Sequence, residues 1–183
     1  MAIVRHPIFI VFALALVAGC GVNRKVVLWE GKVSPSPITP GGSGETPSYF
    51  AGSFPTTDNA NVTLDTLRDK PVVLVFASDT CDICLREAEA FRNALKNPNS
   101  SPKKVDLLTV MVGAKPQDVI QWKKENKIPW RVGWDGTLAL YNSYCGGASV
   151  PCTLVQTPEK GIVYRHIGES QVEEVRKLTG DWE

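Results

Sequence analysis

Two cysteines, Cys81 and Cys84, carry the most informative chemistry in this chain of 183 residues. Two residues separate them, so both sulfurs fit within one helical turn and can form a reversible disulfide. The apolar, β-branched run 71–76 before them predicts a buried strand, and apolar residues at helical spacing after them predict a helix. The pair is therefore expected at a strand-to-helix junction.

Cys81 is expected at the N-terminus of that helix. Unpaired backbone N–H groups and the positive end of the helix dipole stabilise a thiolate there, and the thiolate is the form that attacks disulfides. The predicted chemistry is thiol–disulfide exchange, with Cys81 as nucleophile and Cys84 as the sulfur that resolves the mixed disulfide. The spacing alone leaves open a structural disulfide and half of a zinc site.

Residues 1–19 have the pattern of a signal peptide. Arg5 and His6 precede an apolar run, Ile8–Ala18, that is too short to cross a bilayer but suits a signal-peptide core. The following Leu16-Val17-Ala18-Gly19-Cys20 resembles the bacterial lipobox, in which the cysteine is lipidated and becomes the mature N-terminus. We expect a lipid anchor on Cys20 in the bacterial cell envelope, facing the periplasm or the cell exterior; an ordinary cleaved signal peptide is the alternative.

The charge balance excludes some classes of partner. The chain has 20 Lys and Arg against 19 Asp and Glu, and removal of residues 1–19 takes away only Arg5, which leaves 19 of each sign. A neutral chain gives no indication of nucleic-acid binding or of a basic membrane-binding surface. His166 is then the one histidine left, so a Ser-His-Asp hydrolase or a His-rich metal site is hard to build.

Composition divides the rest of the chain into a tether, residues 20–47, and one domain, residues 48–183. The tether is rich in Pro, Gly, Ser and Thr, and it cannot bury enough apolar surface to offset the entropy of ordering. The remainder is long enough for a single core.

The order of elements in residues 48–183 predicts an α/β fold with a mixed central sheet flanked by helices. A capping box, Ser170 to Glu173, is expected to open the last helix. Further strands are predicted at 62–64, 105–112, 130–132, 152–156 and 161–166, and helices at 116–126 and 137–144.

The whole pattern resembles the TlpA/ResA-type thiol-disulfide oxidoreductases, which implies a thioredoxin-like fold. The resemblance covers nearly all of residues 48–180. It is carried by Phe54-Pro55, Phe76-Ala77-Ser78, the cysteine pair, Glu87, Trp134-Asp135-Gly136, Val150-Pro151 and the hairpin that starts at Gly161.

The resemblance implies roles for two further residues. The Pro151 peptide bond should be cis, and its loop should face the cysteine pair and bind the substrate backbone. Glu87 should exchange a proton with Cys84; a solvated surface carboxylate is the alternative. The implied partners are exported proteins with oxidised cysteines, such as apocytochromes c, and a membrane dithiol donor, with no bound cofactor and no metal.

The sequence departs from the family pattern in three features. Thr80 stands where Trp usually precedes the first cysteine, Asp82-Ile83 replaces a dipeptide that usually ends in proline, and Cys152 follows Pro151 where Thr is usual. Because an anionic Asp82 opposes a thiolate beside it, Cys81 should be less acidic than in strongly oxidising relatives.

A second cysteine pair, Cys145 and Cys152, brackets the proline loop. Disulfides persist outside the cytoplasm, and the ends of such a loop can come within bonding distance, so we predict a Cys145–Cys152 disulfide. Closing a loop of this size would stabilise the fold by roughly 2–3 kcal/mol on the chain-entropy model. Exchange of Cys152 with Cys81 and two unpaired thiols are the alternatives.

Other functions stay open at this point. A thiol peroxidase of the related peroxiredoxin branch would need a proline seven positions before Cys81, where the chain has Leu74. A metal-binding or copper-chaperone module would need a wider cysteine spacing, with His166 as a distal ligand. An inert interaction domain would use the cysteines only for structural disulfides.

Overall fold

The computed structural model of this protein describes residues 48–96 and 104–180. The predicted signal peptide, 1–19, and the predicted tether with Cys20, 20–47, lie outside the described residues.

Seven strands, four α-helices and one 3-10 turn, Leu64–Thr66, make up the described part. Within it, no helix is both long and apolar enough to cross a membrane. The strands are β1 (Ser53–Pro55), β2 (Asn61–Thr63), β3 (Val72–Ala77), β4 (Asp106–Val112), β5 (Arg131–Asp135), β6 (Cys152–Thr157) and β7 (Gly161–Ile167), and the helices are α1 (Asp82–Leu95), α2 (Pro116–Glu125), α3 (Ala139–Cys145) and α4 (Val172–Thr179).

Five strands form the central sheet in the order β5-β4-β3-β6-β7. The first three are parallel to one another, β6 is antiparallel to β3, and β7 is antiparallel to β6. Strands β1 and β2 form a separate antiparallel pair, which contacts the sheet through a bridge from Thr56 to Gly133 on β5. The prediction of a mixed central sheet flanked by helices is confirmed.

Alternate residues of the central strands supply two separate cores. On β3, Val73, Val75 and Ala77 pack with α1, α2 and α4, whereas Val72, Leu74 and Phe76 pack with β1, β2 and α3 on the other face. All six side chains are at most 6% exposed. This burial on both faces explains why the segment is a continuous apolar run and not an alternating one.

Three predicted elements differ from the structure. The strand predicted at 130–132 is longer and spans Arg131–Asp135. The strand expected at 62–64 ends at Thr63, because Leu64 begins the 3-10 turn and its amide donates to the carbonyl of Gly52 at 2.8 Å. The prediction of a capping box is also wrong. Gln171 is the N-cap of α4, and the Ser170 hydroxyl donates to Glu87 on α1 instead of capping the helix.

A substitution at Gly133 can test how closely the β1–β2 pair packs against β5. A Cβ at Gly133 would lie 2.2 Å from the carbonyl oxygen of Pro55 and 2.5 Å from Cδ2 of Phe54. Gly133→Ala must therefore displace backbone, and we expect it to lower the free energy of unfolding by about 1–3 kcal/mol in urea titrations. Gly136→Ala is the matched control, since a Cβ there meets nothing within 4 Å; equal stability of the two variants would contradict this packing.

Candidate active site

The cysteine pair lies at the junction between β3 and α1. Cys81 is the N-cap of α1, with extended backbone, and its Sγ accepts a hydrogen bond from the Cys84 amide at 3.1 Å. The two residues form a disulfide with Cα atoms 5.2 Å apart. In the reduced protein the same N–H and the helix dipole would stabilise a thiolate at Cys81.

The two sulfurs of this pair differ in accessibility. Cys81 is half-buried, whereas Cys84 is 2% exposed and belongs to the core beneath α1, with Ala88 and Phe91. Between them Ile83 is 41% exposed. An incoming disulfide can therefore reach Cys81 but not Cys84.

The proline loop lies against the accessible cysteine. Phe76 near the end of β3 pairs with Cys152 at the start of β6, so the residues just before β6 lie beside those just after β3. The Val150–Pro151 peptide bond is cis, and the Val150 carbonyl oxygen is 3.8 Å from Cys81 Sγ. This places backbone of the loop within reach of any chain that binds at Cys81.

Glu87 is a buried carboxylate on α1, three residues after Cys84. It is 1% exposed, so the alternative of a solvated surface carboxylate is wrong. Its Oε1 accepts hydrogen bonds from Thr153 Oγ1 at 3.0 Å, from the Ser170 amide at 2.9 Å and from the Ser170 hydroxyl. Burial raises the pKa of Glu87 above its ordinary value. The hydrogen bonds from Ser170 and Thr153 oppose this rise, and the charge of Glu169 adds to it.

Thr153 and Ser170 are site residues that the sequence analysis missed. They lie 66 and 83 positions from Glu87 in the chain. No local pattern marks them, because Thr153 reads as an ordinary strand residue and Ser170 as a helix cap. The signal that could have found them is the presence of a glutamate on the apolar face of α1, which would need distant donors once buried.

Cys145 and Cys152 form the second disulfide, with Cα atoms 6.4 Å apart. Cys145 ends α3 and Cys152 begins β6, and both are buried. Since the neighbouring Thr153 points to Glu87 on α1, Cys152 points to the opposite face of the sheet. This geometry does not favour exchange between Cys152 and Cys81, and it leaves neither thiol of the second pair free.

The described residues include no group of three or more His, Cys, Asp or Glu side chains that could hold a metal ion. Cys84 belongs to one core and Cys145 and Cys152 to the other, so the four sulfurs do not converge. His166 lies on β7 opposite Thr153.

The central sheet, the disulfide-bonded cysteine pair at the start of α1 and the cis-proline loop define a thioredoxin-like fold. Residues 49–165, more than half of the chain, match the model of the AhpC/TSA family, and the chain belongs to that family. The predicted resemblance is confirmed at the level of family and fold. A comparison with curated protein sequences gives no match.

Solved structures support the same fold at low sequence identity. A putative protein disulfide isomerase from Bacteroides thetaiotaomicron aligns with a TM-score of 0.62 at 20% identity, covering 80% of this chain and 89% of that one. StoA from Bacillus subtilis gives 0.58 at 20%, covering 74% and 98%. A secreted Mycobacterium tuberculosis disulfide oxidoreductase, homologous to E. coli DsbE, gives 0.58 at 15%, covering 70% and 93%.

The difference in accessibility between Cys81 and Cys84 predicts which sulfur acts as the nucleophile, and alkylation rates can test this. After mild reduction, iodoacetamide should modify Cys81 at least tenfold faster than Cys84, because Cys81 is accessible and its thiolate is stabilised by the helix N-terminus. Peptide mapping by mass spectrometry measures both rates in one sample. Equal or reversed labelling would refute the assignment of Cys81 as nucleophile.

Proposed function

We propose that this protein is an enzyme, a thiol-disulfide oxidoreductase of the bacterial cell envelope that reduces disulfides in exported proteins. The observation that supports this most is the pairing of an accessible N-cap sulfur with a buried second sulfur, beside the cis-proline loop. A half-buried disulfide closed over one helical turn fits reversible exchange better than a purely structural bridge.

The proposed reaction has two exchange steps. The Cys81 thiolate attacks a substrate disulfide, whose S–S bond breaks as a Cys81–substrate disulfide forms and one substrate thiolate leaves. The Cys84 thiolate then attacks the Cys81 sulfur, which forms the Cys81–Cys84 disulfide and releases the second substrate thiolate. Two electrons pass to the substrate, the two thiolates take protons from water, and Glu87 receives the proton of Cys84.

The proline loop is the proposed substrate-binding element. Its Val150 carbonyl lies at Cys81 Sγ, where it could accept a hydrogen bond from the backbone of a docked chain. The Cys145–Cys152 disulfide joins the two ends of this loop, which limits its movement. We propose that the second pair acts as this clamp and takes no part in electron transfer.

The direction and location of the proposed activity rest on the sequence. An anionic Asp82 beside Cys81 disfavours the thiolate, which is expected of a reductant more than of a strong oxidant. The lipobox-like sequence that ends at Cys20 supports a lipid anchor on an envelope membrane, and one matched structure is of a secreted protein. Electrons would come from a membrane dithiol donor, and the proposed substrates include apocytochromes c.

Peroxide reduction has less support, because the position where a peroxidase motif needs proline is Leu74, which is buried within β3.

Trapping of substrates tests the proposed function. In Cys84→Ala protein, expressed in the native organism, the mixed disulfide at Cys81 cannot be resolved, so exported cysteine-containing proteins should accumulate as adducts that reducing agent releases. The Cys81→Ala/Cys84→Ala variant is the control and should trap nothing. An adduct pattern identical in both variants, or none in either, would refute the proposed function.

The redox potential tests the proposed direction. We expect the Cys81–Cys84 couple to lie below about −200 mV, nearer to thioredoxin than to strong oxidants, when equilibrated with dithiothreitol. Asp82→Asn should raise the potential by about 30 mV or less, since it removes the charge that opposes the thiolate. A value near −120 mV for the unaltered protein would rule out the reductase.

A further inference from the structure

The two oxygens of the Glu87 carboxylate are in unequal surroundings. Oε1 has three donors, Thr153 Oγ1 and both the amide and the hydroxyl of Ser170. Oε2 is buried and has no hydrogen-bond partner among the residues that the structure describes. Since each carboxylate oxygen offers about two lone-pair sites, Oε1 has no capacity left, whereas Oε2 has both of its sites free.

We propose that Ser170 and Thr153 are positioning residues that hold Oε1 and so leave Oε2 as the one oxygen of Glu87 that exchanges a proton with Cys84. This inference rests on the proposed function, because it assigns the atoms of the resolving step. It goes further in giving roles to two residues that touch neither the substrate nor a cysteine in that reaction.

The position of Cys84 supports this assignment. Cys84 and Glu87 are three residues apart on α1, so their side chains lie on the same face, and both are almost completely buried. In the disulfide form Cys84 has no proton to give, and Oε2 has no hydrogen-bond partner within residues 48–96 and 104–180. In the dithiol form the Cys84 S–H can donate to Oε2, which would give this buried oxygen the partner that it lacks.

The proton transfer fits the resolving step without any further reactant. The Cys84 S–H bond breaks and an O–H bond forms at Glu87 Oε2. The resulting thiolate attacks the Cys81 sulfur of the mixed disulfide, and the substrate leaves as a thiolate that takes a proton from water. When a donor later reduces the pair, Oε2–H returns the proton to Cys84.

The ionisable groups around Glu87 come from several elements. On α1 they are Cys84 and Arg86, and Arg86 pairs at 3.2 Å with Glu169, which lies in the turn before α4. On β7 they are His166 and Tyr164, whose hydroxyl donates to Glu174 of α4 at 3.4 Å. Burial raises the pKa of Glu87, the Ser170 and Thr153 donors oppose this rise, and the charge of Glu169 adds to it, so the donors help to set the pH at which Oε2 can accept a proton.

Ser170→Ala is the variant that tests the inference, with Ellman's disulfide as substrate in stopped flow. The reduced protein should release two thionitrobenzoate ions, the first in the attack by Cys81 and the second in the resolution by Cys84. Loss of the hydroxyl donor destabilises the Glu87 carboxylate, so the pH midpoint of the second phase should move upward. At pH values below this midpoint, the rate constant of the second phase should fall by roughly three- to tenfold. The greater basicity of Glu87 in the variant partly offsets this fall. The first phase should not change.

Thr153→Val removes the other hydroxyl donor with little change in shape and should shift the second phase in the same direction. Thr153→Ser, which keeps a hydroxyl, should restore the original profile. In a Glu87→Gln background Ser170→Ala should have no further effect on the second phase. These variants keep the test decisive if Ser170→Ala fails to fold.

The possible results separate the inference from the proposed function. Two phases in the unaltered protein, with a second phase whose pH profile does not move in Ser170→Ala or Thr153→Val, would overturn the inference alone. An equal slowing of both phases would also overturn it, since that would reflect a general disturbance. Absence of any release by the unaltered protein would refute the proposed function itself.

Discussion

The antiparallel pairing of β3 with β6 is the constraint on which the site depends. Its register sets Phe76, near the end of β3, opposite Cys152, the first residue of β6. The chain after β3 therefore emerges beside the chain before β6, and the first carries Cys81 while the second carries the proline loop. The backbone hydrogen bonds between β3 and β6 fix the positions of both segments. Their proximity therefore does not depend on a separate contact between them.

The same register divides the chemistry between the two faces of the sheet. Successive residues of β6 point in opposite directions, so Cys152 reaches Cys145 on one face while Thr153 reaches Glu87 on the other. A slip of one residue would exchange these partners and place a cysteine under α1 and a threonine under α3. The Cys145–Cys152 disulfide across the loop and the hydrogen bond from Thr153 to Glu87 are thus two consequences of the same strand register.

Local patterns predicted most of the fold because its elements are strongly marked. The run 71–76 is apolar and rich in β-branched residues and lies close to the observed strand Val72–Ala77, and apolar residues at helical spacing mark α1. The surroundings of Glu87 could not be predicted in this way. Arg86 and Glu89 beside it suggest a solvated helix face, and burial of Glu87 depends on donors from β6 and from the turn before α4.

The contacts of Ser170 with Glu87 explain the failed prediction of a capping box. In a capping box the Ser170 oxygen would accept a hydrogen bond from a backbone N–H in the first turn of the helix, which requires Ser170 to be the N-cap. Ser170 instead donates from both its amide and its hydroxyl to the buried Glu87 carboxylate, and hydrogen bonds to an ionised group are stronger than those between neutral groups. Glu87 therefore takes the hydroxyl and the amide of Ser170, and α4 begins without a side-chain cap.

The direction of the pKa shift of Glu87 determines how this residue affects stability as the pH rises. Its folded-state pKa is raised above the ordinary value by burial. Its contribution to stability is therefore fully present below the unfolded-state pKa and is lost as the pH rises through the folded-state value. Above that pH the native state holds a buried anion that the unfolded chain would expose to water. Three hydrogen bonds to Oε1 reduce this cost without removing it, and the unpartnered Oε2 is where it persists. The proposed proton exchange with Cys84 would give this carboxylate a function that offsets its cost to the fold.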